Sequence, residues 1–197
     1  MIPTSRHIAA LLGSRICHDL ISPIGAISNG VELMQMSGVD SSPELALISE
    51  SVESANARIR FFRIAFGMAS ADQMVGAQEI RDTLRDVCAG GRLRVDWQSD
   101  LDQPRNEVKL IFLMILCLET AMPWGGHITV QNSARKWTVS GTSDRMKVDP
   151  QVWSALQGED AEIGAAEVQF LLVPAMLDAY DRSLNLEMGE SSIIANL

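Results

Sequence analysis

The chain has 197 residues, with 25 acidic side chains against 16 lysines and arginines and a formal net charge of -9. That length holds one domain or two small ones with a sizeable core, and an apolar content of 47% reads as globular rather than disordered. The acidic balance excludes a general nucleic-acid or anionic-membrane binder, either of which needs a basic footprint, without excluding local basic patches.

The first residues, Met1 to Arg6, show no signal-peptide pattern, and the longest apolar run, near Leu110 to Leu118, is too short to span a membrane. Both features predict a cytoplasmic protein. Cys17, Cys88 and Cys117 lack metal-ligand spacing and read as free thiols in a reducing compartment.

From residue 5 to about 37 runs an apolar row of Ile8, Leu12, Ile16, Leu20, Ile24, Ile27, Val31 and Met34. Steps of three and four mark one face of a helix. The stretch Gly38 to Pro43 breaks the row. Ser41 or Ser42 can cap the next helix, Pro43 suits its first turn, and Ser41 with Glu44 fits a capping box. The second helix carries Leu45, Ile48, Val52, Ala55, Ile59, Phe62 and Phe66 in a seven-residue repeat. Two such helices joined by a short loop predict an antiparallel hairpin. A lone hairpin leaves apolar surface uncovered, so two copies are expected to form a four-helix bundle as a homodimer.

His18 lies two residues from both Ile16 and Leu20. Two helical residues rotate by about 200°, so the imidazole is expected to face away from the seam, toward solvent. Pro23 removes a helical hydrogen bond and clashes with the Asp19 carbonyl at a cost of about 3 kcal/mol, which loosens the turn beside His18. If the hairpin turns near residue 40, His18 is level with Arg58, Arg60 and Arg63, while Arg15 lies one turn before it. These cations either attract a phosphoryl group or an acidic partner, or simply solvate the bundle. Arg15, Ser22, Arg58 and Arg63 are the expected partner-binding residues.

Residues 68–77 lose the repeat and read as a linker, which divides the chain into 1–70 and 71–197. Beyond it, Gln78 to Ala89 suits a helix and Leu93, Val95 and Trp97 alternate as a strand. Asn106 to Met122 reads as a buried helix. His127 to Gln131 and Lys136 to Ser140 read as adjacent strands, Pro150 to Leu156 and Ile163 to Tyr180 as helices, and Leu184 to Met188 with Ser192 to Ala195 as a hairpin. Helices against a mainly antiparallel sheet are expected. His7 and His127 are expected to be structural, and Trp97, Trp124, Trp137 and Trp153 to be packing residues.

The block Arg15-Ile16-Cys17-His18-Asp19-Leu20-Ile21-Ser22-Pro23 resembles the phosphoacceptor box of two-component histidine kinases. Leu110 to Val130 resembles the ATP-domain helix and following strand of those kinases. There the helix carries asparagines that help hold magnesium and nucleotide phosphates. Aligned on Ala121-Met122-Pro123 and Gly125-Gly126, those positions are Leu113 and Cys117 here, neither of them a hard oxygen ligand. Glu119 and Thr120 carry oxygen but are out of register. Neither Asp-x-Gly-x-Gly nor Gly-x-x-x-x-Gly-Lys occurs.

Over nearly its whole length the chain resembles the ChpT family of bacterial histidine phosphotransferases. The resemblance implies an α+β fold: an N-terminal helical hairpin that dimerises as a four-helix bundle, then a degenerate ATPase-like α/β sandwich. It implies a phosphotransferase that takes phosphoryl from a receiver-domain aspartate of a hybrid kinase. His18 would be the phosphoacceptor and Asp19 its acidic neighbour, and the phosphoryl would pass on to response regulators of the cell cycle without ATP. No cofactor of its own is expected, and Mg2+ would come from the partner receiver domain. An active histidine kinase with an unusual nucleotide site, or a non-enzymatic adaptor docking on receivers, are the alternatives. Light scattering at micromolar concentration should report a dimer; a monomer would refute the paired-hairpin expectation.

Overall fold

A computed structural model describes residues 20, 21, 24, 25, 27–34, 36, 43–70, 72–133 and 136–197. The chain divides into two compact units, Met1–Met68 and Ala69–Leu197. No helix among the described residues is long and apolar enough to cross a membrane.

In the first unit, residues 20, 21, 24, 25, 27–34 and 36 are helical, and α1 spans Pro43–Ala65. Proline opens α1 where its missing N–H costs no hydrogen bond. The expected cap residues Ser41 and Ser42 lie outside the described residues. Val31, Leu45 and Ile59 are buried, as the apolar rows require. Ile48 is not: it is 47% exposed, and Val52, Ala55, Phe62 and Phe66 are half-buried. Instead Ala57, Phe61, Ile64 and Ala65 are buried. The physical reason is that Phe61, Phe62, Ile64, Ala65 and Phe66 spread over roughly 200° of the helix, with exposed Arg60 and Arg63 on the rest, so the apolar arc is wider than one narrow seam. Phe62 bridges its neighbours, 6.2 Å from Phe61 in a T-shaped contact and 5.4 Å from Phe66.

The second unit corrects the linker expectation. β1, Met74–Val75, falls inside the stretch 68–77 and pairs antiparallel with β3, Gln103–Pro104. Two residues are too few for an alternation signal, and the pair is closed by Arg105 N–H donating to the Gln73 carbonyl at 2.7 Å. α2, Ala77–Cys88, follows. Its N-cap residue, Gly76, has no side chain to offer. Asp102 Oδ1 substitutes from 25 residues away, accepting from Ala77 N–H at 2.9 Å. Ile80 and Leu84 are buried, and α2 packs against β2, Leu93–Trp97.

α3, Arg105–Ala121, has ten buried residues, Val108, Leu110–Ile115, Cys117, Leu118 and Ala121. Such a helix has no solvent face of any width and has to be covered on several sides. It lies against β5 and against α5, Gln169–Ala179. The sheet runs β2-β4-β5-β7-β6, with β4 at Gly126–Ser133, β5 at Lys136–Thr142, β6 at Asn185–Met188 and β7 at Ser192–Asn196. Only β2 and β4 are parallel; every other pair is antiparallel. Ile128, Val130, Trp137, Val139, Ile193 and Ala195 form its buried face.

α4 spans Pro150–Ser154, with the Asp149 carboxylate accepting from Gln151 N–H at 3.0 Å. The helix expected over Ile163 to Tyr180 is interrupted. A 3-10 turn at Ala165–Glu167 precedes α5, because Gly164 is extended and its N–H donates to Glu167 Oε2 in a helix-start geometry.

One carboxylate ties three elements together. Glu107 Oε2, in the first turn of α3, accepts from Trp137 Nε1 on β5 at 2.7 Å and from Arg182 Nη1, just past α5, at 2.6 Å. Trp137 is buried, and both members of the ion pair are largely shielded. Replacing Glu107 with alanine leaves a buried indole N–H and a shielded guanidinium without their acceptor. It should cost about 2–4 kcal/mol of stability, read as a lowered thermal midpoint. Glu107→Gln, which keeps an acceptor oxygen, should fall between the two.

Candidate functional site

His18, Asp19, Arg15 and Ser22 all lie outside the described residues. The remaining expected contacts, Arg58 and Arg63, lie on α1. Charge is segregated along this helix: Glu50 and Glu53 are exposed in its first part, and Arg58, Arg60 and Arg63 are exposed in its last two turns. Cations at a helix C-terminus also meet the negative end of its dipole. The basic end of α1 can therefore attract phosphate or an acidic surface within an acidic chain.

The kinase-like fold suggested for the second unit implies a nucleotide site, and the residues at its key positions do not fit one. Leu113 and Cys117 are fully buried in α3. Burial pushes the Cys117 thiol well above its ordinary value, so it is neither an ionic nor an accessible ligand. Exposed Thr120 turns its hydroxyl back to the Cys117 carbonyl at 2.7 Å, as a helical Ser or Thr often does. The two positions that the resemblance to kinases aligns with nucleotide ligands are thus buried core positions here.

A different cluster forms where α3 turns into β4. Gly125 has φ 100°, and a Cβ there would meet the Arg92 carbonyl oxygen at 2.6 Å. At Gly126 a Cβ would meet the Thr142 carbonyl oxygen at 2.5 Å. Only glycine fits either place. The turn is then pinned: Gly126 N–H donates to the Arg92 carbonyl at 3.2 Å, Ser143 Oγ to the Gly125 carbonyl at 2.7 Å, and Lys147 N–H to the Ala121 carbonyl at 2.9 Å. Trp124 at the tip stays 43% exposed, and the Arg145 guanidinium sits 4.0 Å above its ring.

This corrects the expectation that all four tryptophans pack inside: Trp97, Trp137 and Trp153 are buried, and Trp124 carries a cation instead. Arg94, two residues beyond Arg92 on β2 and paired in register with His127, faces the same side of the sheet. Arg92, Arg94, Arg145 and Lys147 are all exposed, and none forms an ion pair with a described residue. Asp144 and Asp149 are the acids within the loop, and the Asp149 carboxylate caps α4. The cations are spread over 55 sequence positions, so no local run announces them. The only signal is the Pro-x-Gly-Gly turn.

A family model described as the histidine phosphotransferase C-terminal domain matches residues 77–192. The protein phosphotransferase ChpT of Brucella abortus (strain 2308) is 40% identical over 126 residues, which make up 63% of this chain and 60% of that protein. The match thus spans less than two thirds of that relative's length. A solved structure described as a bacterial phosphotransferase aligns over 100% of this chain and 98% of its own, with a TM-score of 0.69 and 26% identity.

The enclosure of α3 can be probed through the Cys117 thiol. Because Cys117 is both enclosed and held in the uncharged form, its alkylation should follow unfolding rather than pH. Treatment with iodoacetamide at pH 8 and peptide mapping should label half-buried Cys88 first, and Cys117 only in denaturant. Rapid native labelling of Cys117 would show that position to be open.

Proposed function

The chain belongs to the ChpT family of histidine phosphotransferases, and from that premise we propose that it relays phosphoryl groups between receiver-domain aspartates through His18, without using ATP. What carries this reading is a coincidence in one chain. The family's C-terminal domain covers residues 77–192, and a His-Asp box with a following proline stands upstream at positions 18–23.

A neutral imidazole, with an ordinary pKa of about 6.5, is a competent nucleophile at cellular pH. One ring nitrogen of His18 attacks the phosphorus of a donor phosphoaspartate. An N–P bond forms, the acyl phosphate P–O bond breaks, and the donor aspartate leaves as a carboxylate. Asp19 orients the ring or takes its proton. Transfer onward reverses these events on an acceptor aspartate. Both steps depend on alignment and charge neutralisation. Mg2+ is supplied by the receiver.

Two features of the described residues support the rest of the assignment. Leu20, Ile27, Met34 and Ile48, members of the two expected seams, remain between 45% and 51% exposed in the single chain. A second copy pairing as a four-helix bundle would cover them. The basic corner of Arg92, Arg94, Arg145 and Lys147 offers the acidic phosphorylation face of a receiver a second point of attachment.

The test is incubation of the full chain with a phosphorylated receiver domain. Acid-labile label should appear on His18, and His18→Ala should abolish it with an unchanged circular dichroism spectrum. Label that persists in His18→Ala, or that never forms, would sink the proposal. Labelling by ATP alone would turn it toward a kinase.

A further inference from the structure

Trp124 is the one tryptophan that this fold leaves exposed, and its place is tightly held. The turn bearing it presses against Arg92 at Gly125 and against Thr142 at Gly126, and Ser143 and the Lys147 backbone hold the chain on either side. An indole exposed by accident needs no such support, and it has no reason to carry a guanidinium 4.0 Å above its ring. A flexible arginine loses several rotamers when it binds a carboxylate. An arginine already stacked on an aromatic face has lost part of that freedom beforehand, while its N–H donors stay available at the rim of the stack. The Ser143 hydroxyl, which also lies 3.0 Å from the Arg145 carbonyl, steadies the loop from below.

We propose that Trp124 is a positioning residue for partner docking, presenting the Arg145 guanidinium at a fixed height so that the basic corner engages the carboxylates of a receiver's phosphorylation face. This rests on the relay reading above. The partner follows from charge. The chain is acidic overall, yet Arg145 stacks on this ring, and Arg92 and Lys147, both exposed, are tied through their backbones to the turn that bears it. An aspartate that accepts phosphoryl with magnesium must itself sit among oxygen ligands, mostly carboxylates.

The experiment measures binding of the receiver domain that labels His18 to the full chain, by fluorescence anisotropy at two salt concentrations. A stacked cation at an exposed site predicts that Trp124→Ala weakens binding about two- to five-fold. Trp124→Phe should restore most of the loss, and the amount of label on His18 at saturating receiver should not change. In an Arg145→Ala background, Trp124→Ala should add nothing. A rescue by phenylalanine and a null effect without Arg145 are outcomes that a merely structural tryptophan would not produce.

If Arg145→Ala weakens binding and Trp124→Ala does not, the positioning role is overturned while the docking corner stands. The positioning role is equally overturned if Trp124→Ala costs as much without Arg145 as with it. If Arg145→Glu leaves affinity unchanged, the corner is not a docking surface and the inference falls with it. If the wild-type chain takes no label from any phosphorylated receiver, the relay reading itself has failed.

Discussion

A helix with no polar side has to be enclosed, and α3 is such a helix. From Val108 to Ala121 its side chains are almost all apolar and buried, so the sheet must lie against it on one side and α5 on another. The Glu107 carboxylate then joins the first turn of α3 to β5 and to the segment after α5. The same enclosure takes in Leu113 and Cys117, which both face the core.

An acidic protein repels acidic partners at long range unless its cations are grouped, because screening cuts off scattered charges within about 10 Å at moderate salt. Among the described residues, exposed cations gather in the last turns of α1 and near the turn that bears Trp124. Phosphoryl transfer between carboxylates asks little of a protein beyond holding two acidic partners near one imidazole.

Much of the architecture was legible along the chain. The strand alternation at Leu93, Val95 and Trp97, the long apolar helix near Asn106 to Met122, and the paired strands on either side of residue 134 are local patterns of period two or 3.6, and the folded unit contains them within a few residues. Illegible were features too short or too diffuse to have a period. β1 and β3 are two residues each. The helix expected from Ile163 is cut by an extended Gly164. The end of α1 has an apolar arc wider than one seam, so its buried row differs from the heptad.

The site divides in the same way. The amino-acid order alone determined the His18-Asp19-Pro23 box and the apolar character of positions 113 and 117, because those features consist of neighbours or of positions on one helix. Only the tertiary structure decided that Asp102 caps Ala77, that Glu107 holds Arg182 from 75 residues away, and that Arg92, Trp124, Arg145 and Lys147 share one corner. Such contacts arise when sheet register and helix packing bring distant segments together, and nothing in the local spacing of those residues encodes the closure.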